Sequence, residues 1–367
     1  ANTNLTFGSF HIDIAPIIIV AFFTTLLVFG TKIGARVDGA MTVLKIAIVF
    51  FVVIVGFFYV KASNFTPFIP PSQPASTVEG SSAVTGVMTQ PLWQFATGMT
   101  PSVYGVPGIL SGAALVFFAF IGFDVVATAS EETKNPHKNV PLGIGVGMLL
   151  IIVMYMLVAV VTTGMVSYAD LAKQDSPSLA TAFELVGADW AAKIISFGIV
   201  LGLATVVMVL LLGLTRIVFA MSRDGLLPRG LSKTGKHGTP AALQIVVGAV
   251  VALVAAFFDI GVLSDMVNIG TLSAFTLVAI SIPIMRKKRP DLPRAFKMPG
   301  SPWIPILIAV ANFWLMLNLS VLTWIRFVVW LVVGFAIYFG YGYWHARLGK
   351  GDLTETLSAE TDKAVNG

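Results

Sequence analysis

Two ionisable side chains lie inside apolar stretches of this 367-residue chain. Asp124 is part of FFAFIGFDVVATAS, and Lys45 is part of TVLKIAIVFF. A charge inside a membrane is unfavourable, so such a residue usually faces a cavity or a partner and takes part in moving protons or ions. Asp124 is therefore a candidate functional carboxylate. The alternative is an aspartate that only fixes the packing of neighbouring helices.

Lys45 has two interpretations as well. Its long stem can extend to the membrane interface and keep the charge in water, which is the ordinary role of such a lysine. A lysine buried between helices instead loses solvation and can release its proton near neutral pH. The residues alone favour the interfacial interpretation.

Gly122 lies two residues before the aspartate and permits the helix to open there, because glycine weakens helices and adopts unusual backbone angles. In an open stretch at 118–122, freed carbonyls can accept hydrogen bonds from an ammonium group. The start of the next half-helix then offers free amides to a carboxylate. A zwitterion carries an ammonium group and a carboxylate, so it fits both the freed carbonyls and the free amides. A continuous helix that uses glycine for close packing is the alternative, and the residues leave both open.

Three further residues have plain interpretations. Asp265 and Asn268 stand near the start of an apolar stretch and are expected at the membrane interface. Met208, in LATVVMVLLLG, is typical of a lipid-facing or core position.

The composition of the chain indicates that membrane-spanning helices position these residues. Hydrophobic residues make up 56% of the chain and charged residues 11%, against about 45–50% and about 25% in soluble domains. We therefore predict an all-α membrane protein, built from spans of about 20 apolar residues. Nine spans are predicted, near 12–31, 42–60, 108–129, 142–163, 190–221, 240–258, 261–285, 302–321 and 325–345.

The basic residues of the connections predict the orientation. Four alternate connections hold 14 Lys and Arg, and the connections between them hold three. By the positive-inside rule the first set is cytoplasmic, which places the N-terminus outside and the C-terminus inside. We predict a multi-pass transmembrane domain over residues 1–350 in the cell membrane (plasma or bacterial inner membrane) and a cytoplasmic tail at 351–367. Residues 61–107 form the longest connection and are expected to be a solvated external loop.

The odd number of spans and the start at Ala1 predict a fragment that lacks upstream helices. Without cysteine, thiolate and zinc-thiolate chemistry is excluded. The segment 230–236 resembles a phosphate loop, but His237 replaces the required Ser or Thr, so no nucleotide is expected. The four histidines give no catalytic cluster. We expect no enzyme, no cofactor and no nucleic-acid partner.

Three connections carry recognisable signatures: SEETKNPHKNVPLGI (130–144), FAMSRDGLLP (219–228) and RAFKMPGSPWIP (294–305). They resemble segments of the amino acid–polyamine–organocation transporter superfamily, and within it the cationic amino acid transporter branch. The resemblance implies a leucine-transporter-type bundle of inverted repeats. This chain matches helices four to twelve, which is nine of twelve transmembrane helices.

The resemblance also implies a site. The family's sixth helix is broken at the stretch that matches FFAFIGFD, so Gly122 permits the break. The carbonyls of Phe118, Ala119 and Ile121 then face the amino group of the substrate, and Phe123 lies near the cavity.

Coupling roles follow from the same resemblance. Asp124 lies just past the break, where its protonation can accompany gating. Lys45 matches a position where sodium-coupled members of the wider fold bind an ion. A protonated lysine can take the place of that bound cation, so a proton is the expected coupling ion. Met208 matches a position that lines the side-chain pocket.

We therefore predict a secondary active amino acid transporter that uses a proton gradient and alternating access. Small neutral substrates are favoured, because Met208 fills volume and offers no charge to a cationic side chain. The expected partners are an amino acid, the lipid bilayer and the upstream helices, while a small membrane subunit or an oligomer is left open. The alternatives are a transporter or exchanger of cationic amino acids or polyamines, or a helical channel, for which no pore-lining stripe or filter is visible.

Overall fold

The computed structural model describes residues 4–7, 10–29, 31–77, 86–123, 125–128, 133–174, 177–232, 240–290 and 298–346. Within these ranges the chain is almost entirely helical, with two short two-stranded sheets. The predicted all-α fold is confirmed.

The helices are α1 (Ile14–Phe29), α2 (Thr31–Phe57), α3 (Leu92–Thr97), α4 (Gly105–Val116), α5 (Val125–Thr128), α6 (Pro136–Met165), α7 (Tyr168–Ala172), α8 (Leu179–Leu185), α9 (Asp189–Arg223), α10 (Ala241–Phe257), α11 (Ile260–Lys288), α12 (Trp303–Leu317), α13 (Val321–Ile337) and α14 (Tyr343–His345). The strands are β1 (Asn4–Phe7), paired with β2 (Phe10–Asp13), and β3 (Gln73–Pro74), paired with β4 (Ser102–Val103); both pairs are antiparallel. Four short 3₁₀ segments and one π-helical turn, at Tyr338–Gly342, complete the described elements.

Apolar helices occupy the nine predicted spans. Five helical segments of the described residues are long and apolar enough to cross a membrane: Gly39–Phe57, Lys138–Met165, Asp189–Arg223, Ile260–Lys288 and Val321–His345. Four more are apolar but have only 10–17 residues: Ile14–Val28, Gly105–Phe120, Ala241–Phe257 and Trp303–Leu317. That these four also cross a membrane stays a prediction.

The chain forms two compact units. The first unit comprises Ala1–Gly39, Ala204–Phe258 and Val328–Gly367, and the second comprises Ala40–Leu203 and Asp259–Phe327. Lys45 and residues 118–123 belong to the second unit, whereas Met208 belongs to the first.

The core of the first unit lies where α1 packs on α10 and on the second half of α9. Its buried members are Val20, Phe23, Leu27, Met208 and Leu211. The helices approach closely, since a Cβ atom on Gly248 of α10 would overlap the side chain of Thr24 on α1.

The second unit has two buried clusters. One joins α2, α6, α8 and α9 through residues such as Val52, Val161 and Phe183. The other joins the end of α4 to α11, α12 and the α12–α13 connection, and consists of Ala114, Ile269, Leu272, Met316 and Leu319. This second cluster fixes the position of the last turn of α4.

One part of the connection 61–107, at residues 90–92, is hydrogen-bonded to another segment of the chain. The Leu92 amide donates to the Leu319 carbonyl at 3.0 Å, and the Val321 amide donates to the Gln90 carbonyl at 3.1 Å. These bonds fasten the segment before α3 to the α12–α13 connection. Composition misses this, because backbone groups make the bonds and almost any residue supplies them.

Candidate functional site

A break interrupts the helical segment that contains Gly122. Helix α4 ends at Val116, and a 3₁₀ turn follows at Phe117–Phe120. Ile121 is then extended, with φ −67° and ψ 140°, and Gly122 has φ +115°. Helix α5 begins only at Val125. The continuous helix is therefore excluded, and the interruption expected near Gly122 is present.

The conformation of the backbone requires glycine at this position. A φ of +115° is one that residues with a Cβ atom rarely adopt. A Cβ atom added at Gly122 would meet nothing within 4 Å in the structure. Close packing of a neighbouring helix is therefore not the reason for this glycine.

The three predicted carbonyls of the break differ in their partners. The Phe118 carbonyl accepts the Ile121 amide at 3.2 Å, and the Ala119 carbonyl accepts the Tyr155 hydroxyl of α6 at 2.8 Å. Within the described part of the chain, no hydrogen bond reaches the Ile121 carbonyl. Since a carbonyl oxygen has two lone pairs, Ile121 offers two acceptor positions and the other two carbonyls can offer one each.

Aromatic rings surround the break. The ring of Phe275 on α11 contacts Phe117 edge-on, with centroids 6.1 Å apart, and lies 5.2 Å from the ring of Phe123. The Tyr155 ring meets Phe120 edge-on at 5.1 Å. Phe123, which is expected near the cavity, thus contacts α11. Both α6 and α11 pack against the interrupted stretch.

Two polar residues of α11 hold neighbouring elements. Asn268 is fully buried, and its Nδ2 donates to the Leu115 carbonyl in the last turn of α4 at 3.3 Å. The Asp265 carboxylate accepts the Thr323 hydroxyl of α13 at 3.1 Å. Asn268 is thus covered by α4, and the expectation that it lies at the level of the membrane interface stays a prediction.

Lys45 lies on α2, half-buried, and its stem faces α9. A Cβ atom added at Gly202 would lie 3.7 Å from the lysine Cγ and 3.9 Å from its Cε. These are ordinary contact distances, so the stem lies alongside α9 without requiring a glycine at residue 202. This contact suits the interfacial and the coupling interpretation equally, so the proton-coupling role stays a prediction. Asp124 lies outside the described residues, and its role also stays a prediction.

Met208 is buried in the core of the first unit. Its side chain is 3% exposed and shares a cluster with Val20, Phe23 and Leu27 of α1. This packing matches the interpretation as core filler. Its role in lining a side-chain pocket stays a prediction.

The family comparison decides the class of protein. A family model described as amino acid permease matches residues 3–342. This chain belongs to the amino acid permease family. The chain is thus part of a multi-pass membrane protein of the predicted transporter superfamily, with a helical inverted-repeat fold.

Relatives of this permease include two proteins of Bacillus subtilis (strain 168). The branched-chain amino acid permease BcaP is 41% identical over 345 residues, which are 94% of this chain and 67% of the relative. The methylthioribose transporter is 38% identical and covers 91% of this chain and 65% of its own length. The vacuolar cationic amino acid transporter 4 of Arabidopsis thaliana is 34% identical, over 76% of this chain and 42% of its own. The permease chain thus spans about two thirds of the length of the bacterial relatives.

Sequence reasoning missed three residues at the break of this permease: Tyr155, Asn268 as a buried residue, and Phe275. A signal existed for the first two. A hydroxyl or an amide within an apolar helix needs a hydrogen-bond partner in the protein, because lipid supplies none. Phe275 is one of 27 phenylalanines and carried no such signal.

Proposed function

We propose that the protein containing this chain is a secondary active transporter that takes up a neutral amino acid by alternating access, coupled to protons. The observation that carries this proposal is the break at Phe117–Phe123, where the Ile121 carbonyl has no hydrogen-bond partner among the described residues. We place the protein in the cell membrane with the C-terminus in the cytoplasm, as the loop charges predict.

The break suits an ammonium group. An ammonium ion brings three donors and no acceptor, and in apolar surroundings each donor needs an oxygen. The Ile121 carbonyl is unpaired among the described residues, and the Phe118 carbonyl has one lone pair left. These backbone oxygens recognise the group that all amino acids share, so the choice of side chain depends on other residues.

Small neutral side chains are our first candidate, and the support is the predicted place of Met208 in the side-chain pocket. Branched-chain amino acids are the second candidate, because the relative BcaP is named for them and is 41% identical. Cationic amino acids or polyamines are the third, since the plant relative is named a cationic amino acid transporter.

Coupling is proposed to pass through Lys45, with Asp124 as the second candidate. The support for this role is the place of Lys45 inside an apolar stretch and its match to the ion-binding position of the wider fold. A proton shifts the balance between two gate states only if it binds one of them more tightly. A charged Lys45 would then stabilise one state by tying α2 to its neighbours.

The test is uptake by the natural protein containing this chain, purified and reconstituted in liposomes. Labelled alanine, isoleucine and arginine are compared with and without an inward proton gradient. We expect saturable accumulation of alanine that a protonophore abolishes. An ohmic current without saturation would instead indicate a channel, and preference for isoleucine or arginine would select the second or third candidate.

A matched pair of compounds tests the role of the carbonyls. Propionate has the carbon skeleton and carboxylate of alanine but lacks its ammonium group. We expect alanine to inhibit uptake of label and propionate to have no effect at the same concentration. Equal inhibition by both compounds would mean that the break does not bind the amino group.

A further inference from the structure

Asn268 is a fully buried polar residue behind the break. Its side chain is 0% exposed, and the adjacent Ile269 and the nearby Leu272 belong to the apolar cluster of α4, α11 and α12. Its Nδ2 donates to the Leu115 carbonyl at 3.3 Å. Burying a side-chain amide is unfavourable unless both its N–H donor and its oxygen acceptor form hydrogen bonds. Both groups of Asn268 therefore need partners.

Only one end of this amide is paired. The Oδ1 atom of Asn268 has no hydrogen-bond partner among the described residues. Asn318, the other strongly buried asparagine of the second unit, differs. Its Oδ1 accepts the Trp93 indole N–H at 2.9 Å and its Nδ2 donates to the Trp314 carbonyl at 2.8 Å. Asn318 is thus paired as a structural residue should be, and Asn268 is not.

The partner of Asn268 lies where α4 stops. Leu115 is the residue before the last one of α4, and the 3₁₀ turn of the break begins two residues later. Carbonyls in the last turn of an α-helix lack the usual intrahelical partner. The Leu115 carbonyl accepts the nearby Phe117 amide from its own segment, and Asn268 adds a second donor from α11 at the point where the helix gives way to the break.

We propose that Asn268 is a positioning residue of the transport cycle, and this rests on the proposed function. Its Nδ2 holds the end of α4 in the arrangement described here, and its Oδ1 accepts a hydrogen bond in another arrangement of the same helices. One amide carries a donor and an acceptor, so it can serve both arrangements. Asn268 changes the relative stability of the two arrangements, because it makes a different hydrogen bond in each of them.

The first test compares Asn268→Leu with Asn318→Leu in the reconstituted natural protein. Leucine has the same number and branching of side-chain heavy atoms as asparagine and can make neither hydrogen bond. For Asn268→Leu we expect Vmax per folded protein to fall by about tenfold or more with KM within about twofold, the pattern of a lost cycle step rather than lost substrate binding. The thermal midpoint should not fall, because the unpaired oxygen is removed as well.

Asn318→Leu is the matched control. It removes two good hydrogen bonds, so we expect a lower thermal midpoint and a normal Vmax for the protein that stays folded. If Asn268→Leu folds poorly, Asn268→Ala replaces it, because alanine needs less space and makes neither hydrogen bond. We expect the same fall in Vmax for that variant.

The second test does not depend on transport. The chain has no cysteine, so Val116→Cys gives one site for a nitroxide spin label on the half-exposed last residue of α4, once any cysteine of the natural protein outside this chain has been replaced. We expect the label to become more mobile in Asn268→Leu and to be unchanged in Asn318→Leu. This measurement tests whether Asn268 holds the end of α4 without using transport, so a failure of that contact can be told apart from a failure of the proposed function.

Several results would overturn the proposal. They are a normal Vmax in Asn268→Leu, a raised KM at normal Vmax, an equal fall of Vmax in Asn318→Leu, or an unchanged spin-label spectrum. A raised KM would assign Asn268 to substrate binding, and an equal fall in both variants would show a general effect of loosened packing.

Discussion

Replacing Gly122 with alanine tests whether the break is needed for transport. The substitution adds one methyl group at a residue with φ +115°. That methyl group meets no atom within 4 Å, so steric overlap with neighbours contributes nothing. The whole effect comes from the backbone preference of residue 122.

The magnitude follows from two contributions of the same sign. Holding a residue with a Cβ atom in a sparsely populated backbone region costs about 1–3 kcal/mol. Alanine also favours a helix over glycine by about 1 kcal/mol. Together they favour a continuous helix over the break by about 2–4 kcal/mol, which is roughly a 30- to 700-fold change in the ratio of the two.

The assay is exchange of labelled substrate across liposomes, with the thermal midpoint measured on the same preparation. We expect Gly122→Ala to lose most of its exchange activity because the carbonyls of the break become engaged in helix bonds. Gly112→Ala is the control. Gly112 lies within α4, has no neighbour within 4 Å of an added Cβ atom, and should gain up to about 1 kcal/mol of helix stability without loss of exchange.

Equal behaviour of the two variants would refute this reasoning. If Gly122→Ala exchanges substrate at the rate of Gly112→Ala, the positive φ is not needed in any step of transport. The break would then be a feature of one resting arrangement, and the carbonyls of Phe118 and Ile121 would not be the acceptors for substrate.

Three further predictions concern other parts of the chain. Lys45→Gln should keep substrate exchange but lose accumulation driven by a pH gradient, whereas accumulation with unchanged pH dependence would identify an interfacial lysine. Gly198→Val should reduce the free energy of unfolding by about 1–3 kcal/mol through overpacking, because a Cβ atom there overlaps Ile48 of α2. The thermal midpoint should fall accordingly. Ile48→Ala should restore part of this loss in the double variant, and strictly additive losses would contradict the contact. A cysteine in place of Lys288, at the end of α11, should react with an impermeant reagent only from the cytoplasmic side, and labelling from outside would overturn the orientation.

The architecture was largely predictable because single residues and their order encode it. Apolar runs of membrane length predicted the helical segments, and these hold in the structure. The break could be anticipated at Gly122, since freedom of the backbone is a property of one residue type. The residues alone still left a continuous helix open, and only the resemblance to a transporter family favoured the break.

The contacts around the break could not be predicted, because they depend on which helix faces which. Tyr155 and Ala119 are 36 residues apart, and Asn268 and Leu115 are 153 residues apart. Met208 shows the same limit in another form. An apolar side chain suits a ligand pocket and a hydrophobic core equally well, so its type alone cannot tell them apart.

The ring of Phe275 gives the break a spectroscopic reporter of its own. It touches Phe117 at the start of the 3₁₀ turn and Phe123 beyond Gly122. A change in the angle between the two sides of the break must therefore alter at least one of these ring contacts. The ¹⁹F resonance of a fluorinated phenylalanine at position 275 is sensitive to nearby ring currents, so its shift would follow that angle in a membrane. Arrangements that exchange slowly would appear as separate lines, and their areas would give the populations directly.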